Sequence, residues 1–174
     1  VLWSPTSRTA LADTEIVYEE HSSDSIFVRF PLKNDKNGFS HGLPNFNTII
    51  WTTTPWTIPA NLAVAFHPSR DYVIVCAGKA HYVLQTDLCP QVMEKIGISQ
   101  YTVLHDLLGI SMEGSTFSHP IFGRDSLAVC ADYVTIEDGT GVVHTAPGHG
   151  REDFQTGQKY GLPVLCPVDE RGRM

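Results

Sequence analysis

Apolar and β-branched residues arrive along this chain in short runs rather than at helical spacing. EIVYEE, SIFVRF, NTIIWTTT, LAVAF, DYVIVCAG, HYVLQ, YTVLHDL, SLAVCADYV, GVVHTA and PVLCPV each predict a strand. Turn-forming residues separate them: KNDKNG, HPSRD, the dipeptide Asp138-Gly139 and repeated prolines. Two segments read as helices. TDLCPQVMEKIG, 86–97, does so with Pro90 in its first turn. REDFQTGQKYG, 151–161, opens on acids, carries Lys159 late and meets a stop at Gly161. Strands outnumber helices without alternating with them, so a doubly wound parallel sheet is not expected. The expected class is α+β, β-rich, with a β-barrel-like core and short flanking helices. Residues 33–45, KNDKNGFSHGLPN, are expected to form a long mobile loop.

Composition narrows the function. At 174 residues, 42% hydrophobic and 18% charged, the chain has the make-up of one folded domain, 1–174. The opening VLWSPTSRTALAD has no basic section followed by an apolar one, so no signal peptide is expected, and a piece of a longer protein is. No apolar run approaches the roughly 20 residues of a membrane span, and no membrane partner is expected. The net charge of −7 argues against gripping a long nucleic acid by counterion release. It leaves room for a pocket that receives one end of such a molecule. Cys76, Cys89, Cys130 and Cys166 form no CxxC pair or zinc-like spacing. Their apolar surroundings predict buried, reduced thiols, as suits an intracellular, cytoplasmic setting, with an organelle as the alternative.

Two stretches could carry chemistry. In WTTTPWTIPAN, 51–61, an extended backbone puts Thr52 and Thr54 on one side and Thr53 on the other. Pro55 then ends the strand ladder, having no N–H to donate. Two hydroxyls beside the rings of Trp51 and Trp56 can bind a polar ligand; equally, threonine is simply a good strand residue. In GTGVVHTAPGHGREDF, 139–154, glycines 139, 141, 148 and 150 permit close approach of backbone to a ligand. Asp153 falls in the first helical turn, where free N–H groups and the helix dipole favour an ionised carboxylate. Such an acid beside a glycine-lined gap can receive an ammonium group, or it can be an ordinary helix-start acid. His144 can be a pocket residue or a hydrogen-bonded core histidine, and His149 a turn residue. His67-Pro68 and His119-Pro120 read as turns. No G-x-S-x-G, H-E-x-x-H, G-x-G-x-x-G or Walker A sequence occurs, so no serine hydrolase, metal site or nucleotide-phosphate cofactor is expected.

Taken together, WTTTPWTIPANLAVAFHP and GTGVVHTAPGHGREDFQTGQKYGLPVLCPVDERGRM resemble the two signature blocks of the editing domain of isoleucyl-tRNA synthetase. WSPTSRTALAD is similar to the strand pair leading into that domain, so the resemblance spans the chain. His144 and Gly148-His149-Gly150 match the isoleucyl rather than the valyl or leucyl pattern. Neither an H-I-G-H-like nor a K-M-S-K-S-like motif is present, so the resemblance implies no synthetic site here. It implies the fold of class I editing domains, with 1–13 and 167–174 as connections toward the catalytic domain. It implies as partners the 3′ aminoacyl-adenosine end of the isoleucine tRNA, the valine moiety and the rest of the synthetase. It implies that Asp153 holds the α-ammonium, that Thr52, Thr53 and Thr54 serve the terminal adenosine and position water, and that His144 lines the side-chain pocket. Asn61, Trp56 and His149 complete the expected binding set.

The expected activity is hydrolysis of the ester of valine mischarged to the isoleucine tRNA. One methylene separates the two amino acids, worth about 1–3 kcal/mol in an apolar pocket, and this very pair is the standard illustration. A second, smaller pocket can reject what the first admits. An aminoacyl ester is already activated, so a positioned water can serve without a nucleophilic triad. Valyl-type editing of a threonyl ester, a non-catalytic module for an aminoacyl-adenosine, and a structural insertion are the alternatives.

Overall fold

The computed structural model describes residues 2–174. The elements run β1 (Trp3–Ser4), β2 (Thr9–Ala10), β3 (Ile26–Asn34), β4 (Phe46–Thr52), β5 (Ala63–Phe66), β6 (Asp71–Ala77), β7 (Ala80–Gln85), α1 (Cys89–Lys95), β8 (Thr102–Leu108), β9 (Thr116–Ser118), β10 (Asp125–Cys130), β11 (Val142–Thr145) and α2 (Arg151–Tyr160). β1 and β2 form a separate antiparallel pair, and the others form a nine-stranded sheet ordered β11-β5-β10-β9-β3-β4-β7-β6-β8. The β5–β10 and β4–β7 pairs are parallel, the rest antiparallel.

Strand alternation divides the side chains between two faces. Val64 and Phe66 of β5, Tyr72 and Ile74 of β6, Val83 of β7 and Ala128 of β10 join Phe30, Ile50 and Phe117 in the central core. On the opposite face Val73, Val75, Tyr82 and Leu84 pack under Val92 and Met93 of α1. Ala63, Ala65 and Val129 pack there with Tyr160 of α2 and Leu162 beyond it. Both faces of these strands are covered, which is why they read as continuous apolar runs instead of alternating ones. The sheet curls so that its two ends approach. Gln85 N–H donates to Thr140 O at 3.4 Å, and the Tyr72 hydroxyl donates to Gly141 O at 2.6 Å. Among the described residues no strand pairing joins β11 to β8, so the curled sheet stays open.

Both helices lie within their expected spans. Pro90 sits in the first turn of α1, and Gly161 ends α2 in the left-handed region at φ 67°. Three differences stand out. EIVYEE and PVLCPV are not strands, and β9 was not anticipated. Val17 and Tyr18 are 82% and 90% exposed, so the apolar residues of EIVYEE find no neighbour strand to cover them. The 33–45 segment is tied down: Lys33 and Asn34 belong to β3, and the Asp35 carboxylate accepts N–H groups from Gly38, Phe39 and Ser40 plus the Ser40 hydroxyl. The cysteines are all free, but Cys166 is exposed and Cys76 half-buried, because PVLCPV lies outside the sheet and Cys76 nears the end of β6.

Candidate functional site

The first threonine ends β4, and the next two lie beyond it. Thr52 is buried, and its hydroxyl accepts the Thr54 N–H at 3.1 Å and lies 3.2 Å from the Thr54 hydroxyl. Those two hydroxyls thus share one side, as alternation predicts. Thr53 is exposed on its own, with its carbonyl accepting the Ser23 hydroxyl. Pro55 opens a 3-10 helical turn, Pro55–Ala60, which carries Trp56 into solvent at 54% exposure and returns Thr57 inward.

Thr57 links the two stretches. Its hydroxyl donates to Thr54 O at 2.8 Å and meets His144 Nε2 at 3.0 Å. With the threonine proton given to the carbonyl, His144 donates from Nε2 and keeps a lone pair on Nδ1. That Nδ1 is buried without a partner. Burial, and then the nearby His149 and His119, push the His144 pKa down to about 4, so the ring is neutral at physiological pH.

β11 reaches this position through a left-handed bend that requires glycine. Gly141 has φ 70°, and a Cβ there would lie 2.2 Å from Gln85 Cβ, so no other residue fits. The glycine pattern is therefore used against the protein itself. Gly148 abuts the Leu165 carbonyl, a Cβ on it falling 2.3 Å away, and Gly150 lies under the Asp153 carboxylate. The expected glycine-lined gap for a ligand is filled at these positions by protein.

Asp153 sits in the first turn of α2 but faces back along the chain, accepting the Ala146 N–H at 2.8 Å. Its pKa is raised, not lowered. Burial is the main cause and outweighs the Ala146 hydrogen bond, Glu152 adds repulsion, and His149 opposes the rise. Helix-terminal N–H groups do not hold it, and among the described residues no Lys or Arg is within ion-pair distance. His149 also has a buried, unpartnered Nε2 and lies near both His144 and Asp153. Thr52, Thr54, Thr57, His144, His149 and Asp153 thus form one neighbourhood.

Asn61 falls outside it. It is 0% exposed, donates to Ala63 O at 2.7 Å and accepts the Ser126 hydroxyl at 2.7 Å, fastening β5 to β10. Its amide groups already have partners within the protein. His119, read from sequence as a turn, is buried: Nε2 donates to Ile58 O at 2.9 Å, and Nδ1 accepts N–H groups from Ile121 and Phe122. It supports the 3-10 turn from below. Thr57 carried a signal, lying inside the same threonine-rich stretch. His119 carried none for this role, since the bond that ties it to the 3-10 turn goes to Ile58 O, sixty-one residues away. A cleft of about 660 Å³ lined by Arg29, Lys33, Asn47 and Lys79 shares no residue with this neighbourhood. Among the described residues no grouping of His, Cys, Asp and Glu is suited to a metal ion, and no helix is long and apolar enough to cross a membrane.

The family model for the leucyl-tRNA synthetase editing domain matches residues 49–173. The chain is 52% identical over all its 174 residues to an isoleucine–tRNA ligase of Geobacillus kaustophilus, of which it spans 18%. It is 48% identical over 174 residues to that of Bacillus subtilis, spanning 19%. The chain thus spans about a fifth of the length of these relatives. Among solved structures, GlLeuRS-CP1 superposes with a TM-score of 0.65 at 15% identity, covering 81% of this chain and 66% of that one. The Plasmodium knowlesi (P. knowlesi) cytosolic leucyl-tRNA synthetase editing domain gives 0.64 at 10% identity, covering 79% and 64%. At such identities the likeness concerns the fold.

Proposed function

We propose that this chain, which belongs to the aminoacyl-tRNA synthetase editing-domain family on its isoleucyl branch, hydrolyses the ester of valine mischarged to the isoleucine tRNA. The observation that carries the reading is the Asp153 carboxylate, half-buried, fixed by Ala146 N–H and, among the described residues, without an ion-pair partner. An α-ammonium is the group that would offset its desolvation, and supplying that cation returns its pKa toward the ordinary range. The neutral His144, hydrogen-bonded to Thr57, suits an apolar side chain, because an imidazolium in the same pocket would repel the ammonium.

In this reading Asp153 anchors the amino acid and His144 shapes the pocket that takes valine and excludes isoleucine by size. The hydroxyls of Thr52 and Thr54, with the exposed Thr53, bind the terminal adenosine and orient a water. That water's oxygen bonds to the ester carbonyl carbon, the bond from that carbon to the ribose oxygen breaks, and the ribose oxygen takes up a proton. Free valine and uncharged tRNA result. Trp56 and His149 border the ligand, and Asn61 contributes by holding the strands. The partners are the aminoacyl-adenosine end of the tRNA and the rest of a cytoplasmic synthetase.

The test is deacylation of Val-tRNA and Ile-tRNA, both on the isoleucine tRNA, by the chain in excess and by Asp153→Ala. Faster release of valine, lost in the variant, is expected. Equal release of both esters, or a variant as active as the parent, would sink the assignment.

A further inference from the structure

The turn between β9 and β10 is built in a way that neither the core nor the proposed hydrolysis uses. The hairpin is closed by His119 N–H to Arg124 O at 3.1 Å, and its tip leaves Ile121 and Phe122 65% and 45% exposed. A tip of large apolar residues in water is unfavourable, and among the described residues nothing covers it. Yet the tip is firmly held. His119 accepts both the Ile121 and Phe122 N–H groups at 3.1 Å, with its ring 5.2 Å from that of Phe122. Arg124 lies over the Phe122 ring, its guanidinium carbon 5.1 Å from the centroid. Arg124 also donates to Asn61 O at 3.1 Å and to Pro59 O, and His119 donates to Ile58 O. These bonds lock the tip to the 3-10 turn that carries Trp56 and Thr57. Asp125, the neighbouring acid, is paired with Lys33 at 2.5 Å.

An exposed ring, orientation-locked and backed by a guanidinium, is a surface for a flat π-system. Stacking of this kind is how proteins hold single-stranded nucleic acid without reading sequence, and Arg124 supplies a cation beside the ring. We infer that Phe122, set by His119 and Arg124, is a stacking platform for a base of single-stranded RNA, the nucleotide preceding the one seated at the threonines. The identity of the RNA rests on the editing reading; the platform rests on the tip itself.

The test uses uncharged RNA, so it is independent of hydrolysis. Binding of a short RNA hairpin ending in single-stranded CCA, and of AMP alone, is measured by NMR titration for the parent, Phe122→Ala and Phe122→Tyr. Phe122→Ala is expected to weaken the hairpin about tenfold, at the size of one lost base stack, with AMP unchanged and Phe122→Tyr restoring the affinity. Unchanged hairpin binding by Phe122→Ala overturns the inference. So does equal loss of AMP, or failure of Phe122→Tyr to restore binding in a variant that melts like the parent. Unchanged binding together with protection of 119–124 from hydrogen exchange in the RNA-free intact synthetase would assign the tip to a protein neighbour instead.

Discussion

The sheet carries a helix on each of two regions, and the two are packed on different terms. Beneath α1, Val73, Val75, Tyr82 and Leu84 meet Leu88, Val92 and Met93, an interface of branched and aromatic groups. Its buried polar residue, Gln85, has partners at both ends, accepting from Leu88 N–H and donating to Asp87. Beneath α2 the contacts are small, Ala63, Ala65 and Ala131, and polar groups with unmet demands gather beside them. His144 Nδ1 and His149 Nε2 are buried without partners, and the half-buried Asp153 carboxylate has no cation beside it among the described residues. The Thr86 hydroxyl is the comparable atom at the α1 end, and it is a single neutral group. A buried polar group left unpaired costs about 1–3 kcal/mol, so the α2 region gives up stability that the α1 region supplies. The difference teaches where a ligand gains most: at groups the fold has desolvated but not satisfied.

That contrast can be broken in order of expected effect. Leu84→Ala should destabilise the chain by about 2–5 kcal/mol in denaturant unfolding, as large-to-small core changes do, while leaving the preference between valyl and isoleucyl esters unchanged. A shift in that preference would mean the two regions are coupled. Acid should next expose the α2 region. The folded pKa of His144 is about 4, below the ordinary 6.5, so on acidification the unfolded chain takes up its proton first. The stability tied to this ring is whole above pH 6.5 and is lost as pH falls from 6.5 to 4, about 3 kcal/mol in all. Comparing pH-dependent unfolding of the parent with His144→Leu isolates this loss, and identical slopes would refute the buried neutral ring. The smallest effect is on Asp153→Asn. Because the folded carboxyl pKa is raised, the neutral form favours the fold and that advantage disappears as pH rises through the folded value. An amide keeps an oxygen for Ala146 N–H without the buried charge. Its unfolding at neutral pH should match the parent within about 1 kcal/mol or exceed it, although deacylation is lost. A strongly destabilised variant would make Asp153 a structural residue.

Much of this architecture was legible along the chain, for local reasons. Branched residues in short runs mark β3 through β8, β10 and β11, and Pro90 and Gly161 bound the helices through backbone dihedrals that act within a turn. EIVYEE has the same local character and still forms no strand, because a strand needs a neighbour to bond with and none is supplied there. Thr52 and Thr54 were correctly placed on one side by alternation alone. Asp153 falls in the first turn of α2 as its position predicts, but its pKa moves up, opposite to what the helix dipole favours. The helix dipole is local, whereas the desolvation that outweighs it comes from chain packed around it.

By itself, then, the sequence determined the class of fold, the two helices and the pairing of the Thr52 and Thr54 hydroxyls, since each follows from propensity and spacing over a few residues. Only the tertiary structure decided that Thr57 bridges Thr54 to His144 and that His119 supports the turn from beneath. It also decided that the glycines serve the protein's own packing, and that Asn61 fastens strands with its amide already partnered. The reason is physical. Hydrogen-bond partners, desolvation and steric room depend on atoms sixty to ninety residues distant, and these meet only when the sheet curls its two ends together.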